Sequence, residues 1–360
     1  KGKVTWDRAE FDPATTYAEF DNYEIRIKGS SFIVDSVLFY NEYFDQPLIG
    51  QLSEKVLANR NGPQASYPKF ESYNKRLEIK NIFKNVDYEG GFTMRGVRLA
   101  GTGTIEEPAI LTFYRDGERF LENRSMEFSI RPEKITSLHS SARIYLDEDT
   151  ISHPDLNLKF DKNARRLTLL RTDEGLSKAP YSNTYHGMDM FFEALYWNID
   201  EPLIEMGALV GSTQHLAAFE SQDYYKKARY DGLMGIGMTH PLVEIRDFSR
   251  YAGSTEFYDK ELAQFLRLGL EQTSIQLIEL NNQGYLTYDL NTGWVVMKPK
   301  LMNYLRNNSG ARDYDVLLFN SEVGGGNNAQ LNLINNNLLV KGVQRIQLSD
   351  SQNVVVYPAR

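Results

Sequence analysis

Short runs of alternating apolar and polar residues occupy both ends of this 360-residue chain. A period of two is the mark of strands that bury one face. Tyr23, Ile25 and Ile27 alternate with Glu24, Arg26 and Lys28, and Leu77 and Ile79 with Glu78 and Lys80. Leu156, Leu158 and Phe160 alternate with Asn157 and Lys159, and Leu167 and Leu169 follow a polar turn at 161–165. Turn signals divide these runs: Lys28-Gly29-Ser30, Asn61-Gly62-Pro63, Glu89-Gly90-Gly91 and Asp116-Gly117. Gly96, Gly101 and Gly103 lie close together, which predicts bulges or tight backbone approach. Residues 1–172 therefore read as mostly β, and the supply of 22 Tyr and 19 Phe suits that.

The strand pattern lapses at 172–180, a predicted connection. Residues 188–196 are apolar nearly all round and residues 221–230 are polar and helix-permissive; both predict helix. Residues 240–305 then read as helix, helix, helix, hairpin. Leu262, Phe265 and Leu266 form one helical stripe with Asp259 as N-cap. Residues 271–283 repeat the pattern with Ile275 and Ile278, and Gly284 supplies the left-handed stop. Tyr285-Leu286-Thr287-Tyr288 and Trp294-Val295-Val296-Met297 flank a turn at 289–293. This order resembles a winged-helix module. Strands are predicted again at 316–319, 330–333, 338–340, 343–348 and 354–356. A tail of roughly fifty residues in short strands buries little surface alone. It is predicted to pair with the sheets of residues 1–172.

The predicted fold is α+β, mainly β: a jelly roll or short β solenoid built from 1–172 and 307–360. A helical insertion at 173–306, containing the winged-helix-like module at 240–305, interrupts it. Strand–turn–strand rhythm recurs over 141–171 and 329–357. With the Ile151-Ser152-His153-Pro154 segment, it resembles the open β-jellyroll repeats of bacterial lipopolysaccharide-transport bridge proteins. That resemblance implies a trough able to shield lipid and to stack end to end, in the bacterial envelope, periplasmic or surface. No functional residue carries over from it. Because the strand pattern runs to both ends, the chain reads as a piece of something longer or as a trimmed domain.

Composition narrows the chemistry. A formal charge of −8 weighs against a general nucleic-acid binder. The absence of cysteine rules out disulfides, cysteine-ligated zinc and thiol nucleophiles. No apolar run approaches the roughly 20 residues of a membrane-spanning helix; 203–210 is short and carries Glu205. His186 draws attention because Asp189 follows three residues on and could orient its ring, the alternative being a cap at a helix start. His153 and His240 precede proline and read as element boundaries, while His139 and His215 have no evident companion.

Ser212 and His215 are close in sequence, which is not triad geometry. Neither Gly235-Ile236-Gly237 nor Gly324-Gly325-Gly326 opens a βα unit, and the latter reads as a hairpin loop. Asp147-Glu148-Asp149 reads as a solvated turn, with calcium binding as its alternative. Asp289, Asn291 and Gly293 imitate the start of a calcium loop, but Lys300 stands where the closing Glu would fall. Trp6, Trp197 and tyrosines are candidate sugar platforms, with core packing as the alternative. A DNA-reading helix needs cations, yet 271–283 has no Lys or Arg and carries Glu271 and Glu279; Lys298 and Lys300 lie only beyond the turn.

No catalytic, cofactor or metal residues are therefore nominated, and the reading leans away from an enzyme. The expected function is a structural or binding segment of a larger envelope protein, presenting a β trough or helical surface to a protein partner or adjoining domain. Lipid or glycan are the other expected ligands. A carbohydrate-binding or carbohydrate-active protein is the alternative function; a DNA-binding regulator is disfavoured.

Overall fold

The computed structural model describes residues 1–25, 28–44, 46–56, 66–213, 215–234, 239–315, 317–349 and 354–357. The expectations for Arg26, Ile27, Asn61-Gly62-Pro63, Gly235-Ile236-Gly237 and Val316 lie outside these residues. The class is α+β, mainly β, with antiparallel strands and few helices. Two compact units divide the chain: Lys1–Ser140 with Leu158–Arg166, and Ser141–Asn157 with Leu167–Arg360.

The first unit opens with β1 (Gly2–Thr5), β2 (Tyr17–Phe20), β3 (Glu24–Ile25), β4 (Ser31–Tyr40), β5 (Leu48–Lys55) and β6 (Lys69–Ser72). There follow β7 (Leu77–Phe83), β8 (Val86–Arg95), β9 (Arg98–Thr102), β10 (Ala109–Arg115), β11 (Glu118–Ser125) and β12 (Glu127–Arg131). The division between units falls within β13 (Lys134–Leu146) and β14 (Asp149–Asp161). Strand β8 forks the antiparallel ladder. Tyr88 stands opposite Ile79 of β7 and Leu111 of β10, whereas Met94 stands opposite Phe70 of β6 and Leu99 of β9. Rings fill the interior: Phe39 lies 4.3 Å from Phe70 and 5.9 Å from Phe92, with Trp6 edge-on at 5.2 Å. A Cβ at Gly101 would lie 2.4 Å from the Tyr88 ring, the tight approach that the glycine cluster predicts.

The second unit continues with β15 (Arg166–Leu170), β16 (Tyr181–Asn183), β17 (Met188–Phe191), β18 (Ala194–Asn198), β19 (Leu203–Gly207) and β20 (His215–Ser221). Helices α1 (Lys227–Gly232) and α2 (Pro241–Ala252), strand β21 (Glu256–Tyr258), and helices α3 (Asp259–Leu266) and α4 (Leu270–Asn282) come next. Strands β22 (Leu286–Asp289) and β23 (Trp294–Met297) and helix α5 (Pro299–Asn308) complete the helical block. The tail holds β24 (Leu318–Val323), β25 (Ala329–Asn332), β26 (Leu338–Val340), β27 (Ile346–Ser349) and β28 (Val354–Val356). One ladder joins β14, β16, β17, β20 and β24 in that order. Another joins β15, β18, β19, β25 and β26.

These pairings correct three expectations and sharpen a fourth. Residues 188–196 hold strand β17 and most of strand β18, joined at 192–193, and no helix. Residues 194–197 are all buried, and a strand covered on both faces loses its alternation and reads as apolar all round. The tail strands β24 and β25 join the ladders that begin at β14 and β15 within the first 172 residues, but their direct partners are β20 and β19, inside the segment assigned to the helical insertion. The insertion is accordingly narrower: it leaves after β20 and returns at β24, two strands paired directly with each other. Finally, Gly324-Gly325-Gly326 is no hairpin, because it carries the chain from β24 in one ladder to β25 in the other.

The helical block has its own core, in which Leu242, Ile245, Leu277, Tyr285, Leu286, Val295 and Leu301 have no exposed surface. Its small sheet has the order β21–β23–β22. Asp259 is the first residue of α3 rather than its cap: Tyr258 caps the helix, and its backbone N–H donates to the Glu261 carboxylate. His240 caps α2 by accepting from Leu242 N–H, as its boundary assignment predicts.

Candidate functional site

The most organised polar cluster of the second unit lies where the helical block meets strands β17 and β20. Asp189 faces inward from β17 and Glu220 from β20. The first turn of α5 buries Lys300, whose ammonium donates to Asp189 Oδ2 at 2.6 Å and to Glu220 Oε1 at 2.8 Å. Helix α1 adds Arg229, which donates to both Glu220 oxygens at 2.8 Å. The Lys300, Asp189 and Glu220 side chains are 3%, 2% and 1% exposed, so water screens this cluster very little.

Burial alone would lower the pKa of Lys300, but the attraction of Asp189 and Glu220 outweighs it and raises the group above its ordinary value. Arg229 is raised by the same balance, with Glu220 overcoming desolvation. The adjacent Lys298 goes the other way: burial lowers it, and the charge of Lys300 adds to the lowering. Gly284 at φ +80° permits this closure, since a Cβ there would lie 2.7 Å from Asp189 Oδ2. Two cations and two carboxylates close on one another, with Lys300, Asp189 and Glu220 almost wholly buried. The arrangement ties α1 and α5 to β17 and β20.

The sequence-predicted residues fall elsewhere or take other partners. Asp189 does not orient His186; the His186 ring meets the Asn183 side chain at 2.9 Å, in the turn between β16 and β17. His153 is no boundary residue but lies within β14, fully enclosed. Its Nδ1 accepts from Asp155 N–H, so Nε2 carries the proton and donates to Ala179 O at 2.8 Å. Burial lowers its pKa to about 3. His215 meets Gly326 O, and Ser212 donates to Glu193 rather than to His215.

Asp147 Oδ2 accepts from Asn336, at the turn joining β13 to β14. Asp289 accepts from Asn291 N–H and Thr292 N–H and so builds the β22–β23 turn. Among the described residues no three His, Asp or Glu side chains gather as a metal site. Trp6 and Trp197 are fully buried, which removes both as sugar platforms. Among the described residues no helix is long and apolar enough to cross a membrane.

The first unit carries two open concavities of about 680 and 510 Å³ that share Glu42 and Pro132. Tyr43 lines the larger one, and burial, then the charges of Glu42 and Glu133, push its hydroxyl up to about 12. Sequence inspection finds neither this groove nor the charged cluster, because both assemble from distant segments. Lys300 is 111 residues from Asp189 and 80 from Glu220. Comparison of the chain with protein-family models, curated proteins and solved structures gave no match.

Proposed function

We propose that this chain is a non-enzymatic structural or binding segment of a larger bacterial envelope protein. Its working surface is the helical block, a winged-helix-like module held on β structure. The observation that carries this reading is the joint. Four charges, two of each sign, close at 2.6 to 2.8 Å and hold α1 and α5 against β17 and β20. A buried ion cluster adds little net stability over an apolar joint, so its value lies in fixing one docked geometry. That is the property a platform for a partner requires.

The element order from α2 to β23 and the sheet order β21–β23–β22 support the winged-helix-like assignment. Helix α4 contains no Lys or Arg, which supports a protein partner over a DNA duplex. Envelope placement rests on the resemblance of the strand rhythm to lipopolysaccharide-transport repeats. Side chains fill the interiors of both β units, which favours the helical surface over a lipid trough.

Photoreactive residues introduced in the full-length protein at Tyr251 and Glu271 of the block, and at Ile33 and Ile49 of the strands, test the reading. Protein adducts are expected from the block positions. Lipid or glycan adducts from the strands, with none from the block, would contradict it. One observation favours a second reading, glycan binding in the first unit: Tyr43 lines an open groove with Glu42, and Glu133 lies close enough to act on its hydroxyl. Oligosaccharide titration against Tyr43→Ala separates the two, since only a groove-bound glycan is lost with that ring.

A further inference from the structure

Ile275, in the middle of α4, is 62% exposed. Glu271 and Glu279 lie one helical turn to either side, both exposed and on the same stripe. The stripe is unfavourable on two counts in the chain as it stands. An isoleucine faces water, and Glu279 places a carboxylate in the last turn, where the helix dipole disfavours it.

Some carboxylates of the block are matched by cations, Asp231 by Lys227, Asp247 by Arg246 and Asp223 by Arg312, and others are held by hydrogen bonds, Asp259 by Tyr288, Glu261 by Tyr258 N–H and Asp289 by Asn291 N–H. Among the described residues neither Glu271 nor Glu279 has an ion-pair partner. A third carboxylate, Glu244 of α2, accepts from Gln276 of α4 and adds negative charge beside the stripe. Arg267, in the turn before α4, is the cation nearest to it in sequence.

We propose that this stripe is the docking face for a basic amphipathic segment of a protein partner. The segment would place an apolar side chain on Ile275 and a cation on each of Glu271 and Glu279. Eight helical residues set the two carboxylates about 12 Å apart. A partner helix meets that span with Lys or Arg two turns apart and an aliphatic residue between them. This occupant relieves both unfavourable features together, which an acidic or wholly apolar partner does not do. Nucleic acid is excluded by the sign of the charge. The inference rests on the helical block being the working surface and names which face of it binds.

The test is fluorescence anisotropy of the full chain with two synthetic peptides of identical composition. One has Lys and Leu in the pattern just described, and the other is scrambled. The expected result is a preference of about ten-fold or more for the patterned peptide, weakening as salt rises. That preference is lost in Glu271→Gln/Ile275→Ser/Glu279→Gln. It is kept in Glu148→Gln/Asp149→Asn, which removes the same number of charges from the β13–β14 turn. Equal binding of the two peptides, or equal loss in both variants, overturns the proposal, as does a concentration-dependent dimer that only the α4 variant abolishes. If Tyr251 crosslinks a protein in the cell while the α4 variant leaves that adduct intact, this proposal falls and the broader reading of the block stands.

Discussion

His153 shows how a single side chain sets a pH limit on the second unit. Its folded-state pKa of about 3 lies below the unfolded value of roughly 6.5. Below pH ~6.5 the unfolded chain takes up a proton that the folded chain refuses, so acidification favours unfolding. Stability attributable to this ring is therefore fully present above that value and falls with a limiting slope of about 1.4 kcal/mol per pH unit down to about pH 3. Denaturant titrations from pH 7 to 4.5 are expected to show the gap between wild type and His153→Gln shrinking as pH falls; a constant gap would contradict the assignment.

Lys300→Met is expected to cost about 3–5 kcal/mol, because it leaves Asp189 buried without its cation while Glu220 keeps Arg229. Adding Asp189→Asn should recover part of that loss, and urea midpoints of the two variants check it. Neither His153 nor Lys300 was legible in these roles from sequence. Local spacing ties Asp189 to His186 and His153 to Pro154, whereas the contacts that matter join residues tens of positions apart.

Elements were legible where one face meets water. The alternating runs at 77–80 and 156–160 are strands β7 and β14, and the hairpin at 285–297 falls at β22 and β23. Strand β18 was not, since residues 194–197 are apolar and buried on both faces. Gly101→Ala is expected to destabilise the first unit by about 1–3 kcal/mol, because its methyl overpacks the buried Tyr88 ring; calorimetry reads the loss. Helix α4 gives the opposite sign. Glu279→Lys replaces a last-turn carboxylate with a cation and is expected to stabilise the block by about 0.3–1 kcal/mol. An unchanged or lowered melting temperature would show that the dipole argument fails at this position.

For the whole molecule, the decisive pairing is between β20 and β24, whose register runs from His215↔Val323 to Glu220↔Leu318. The chain departs and returns at adjacent strands, so a block with its own core is inserted without interrupting the ladder. Sequence periodicity located the tail strands and the helical interruption. It missed the tail's direct partners, β19 and β20, because 203–221 did not read as strand. The central claim is that buried charge fixes the block to β17 and β20. Hydrogen exchange of wild type and Lys300→Met under native conditions tests it most directly. The account requires faster exchange at α1, α5 and the facing parts of β17 and β20, with the ladders of the first unit unchanged. Unaltered protection across that joint, or a loss spread evenly over both units, would contradict it.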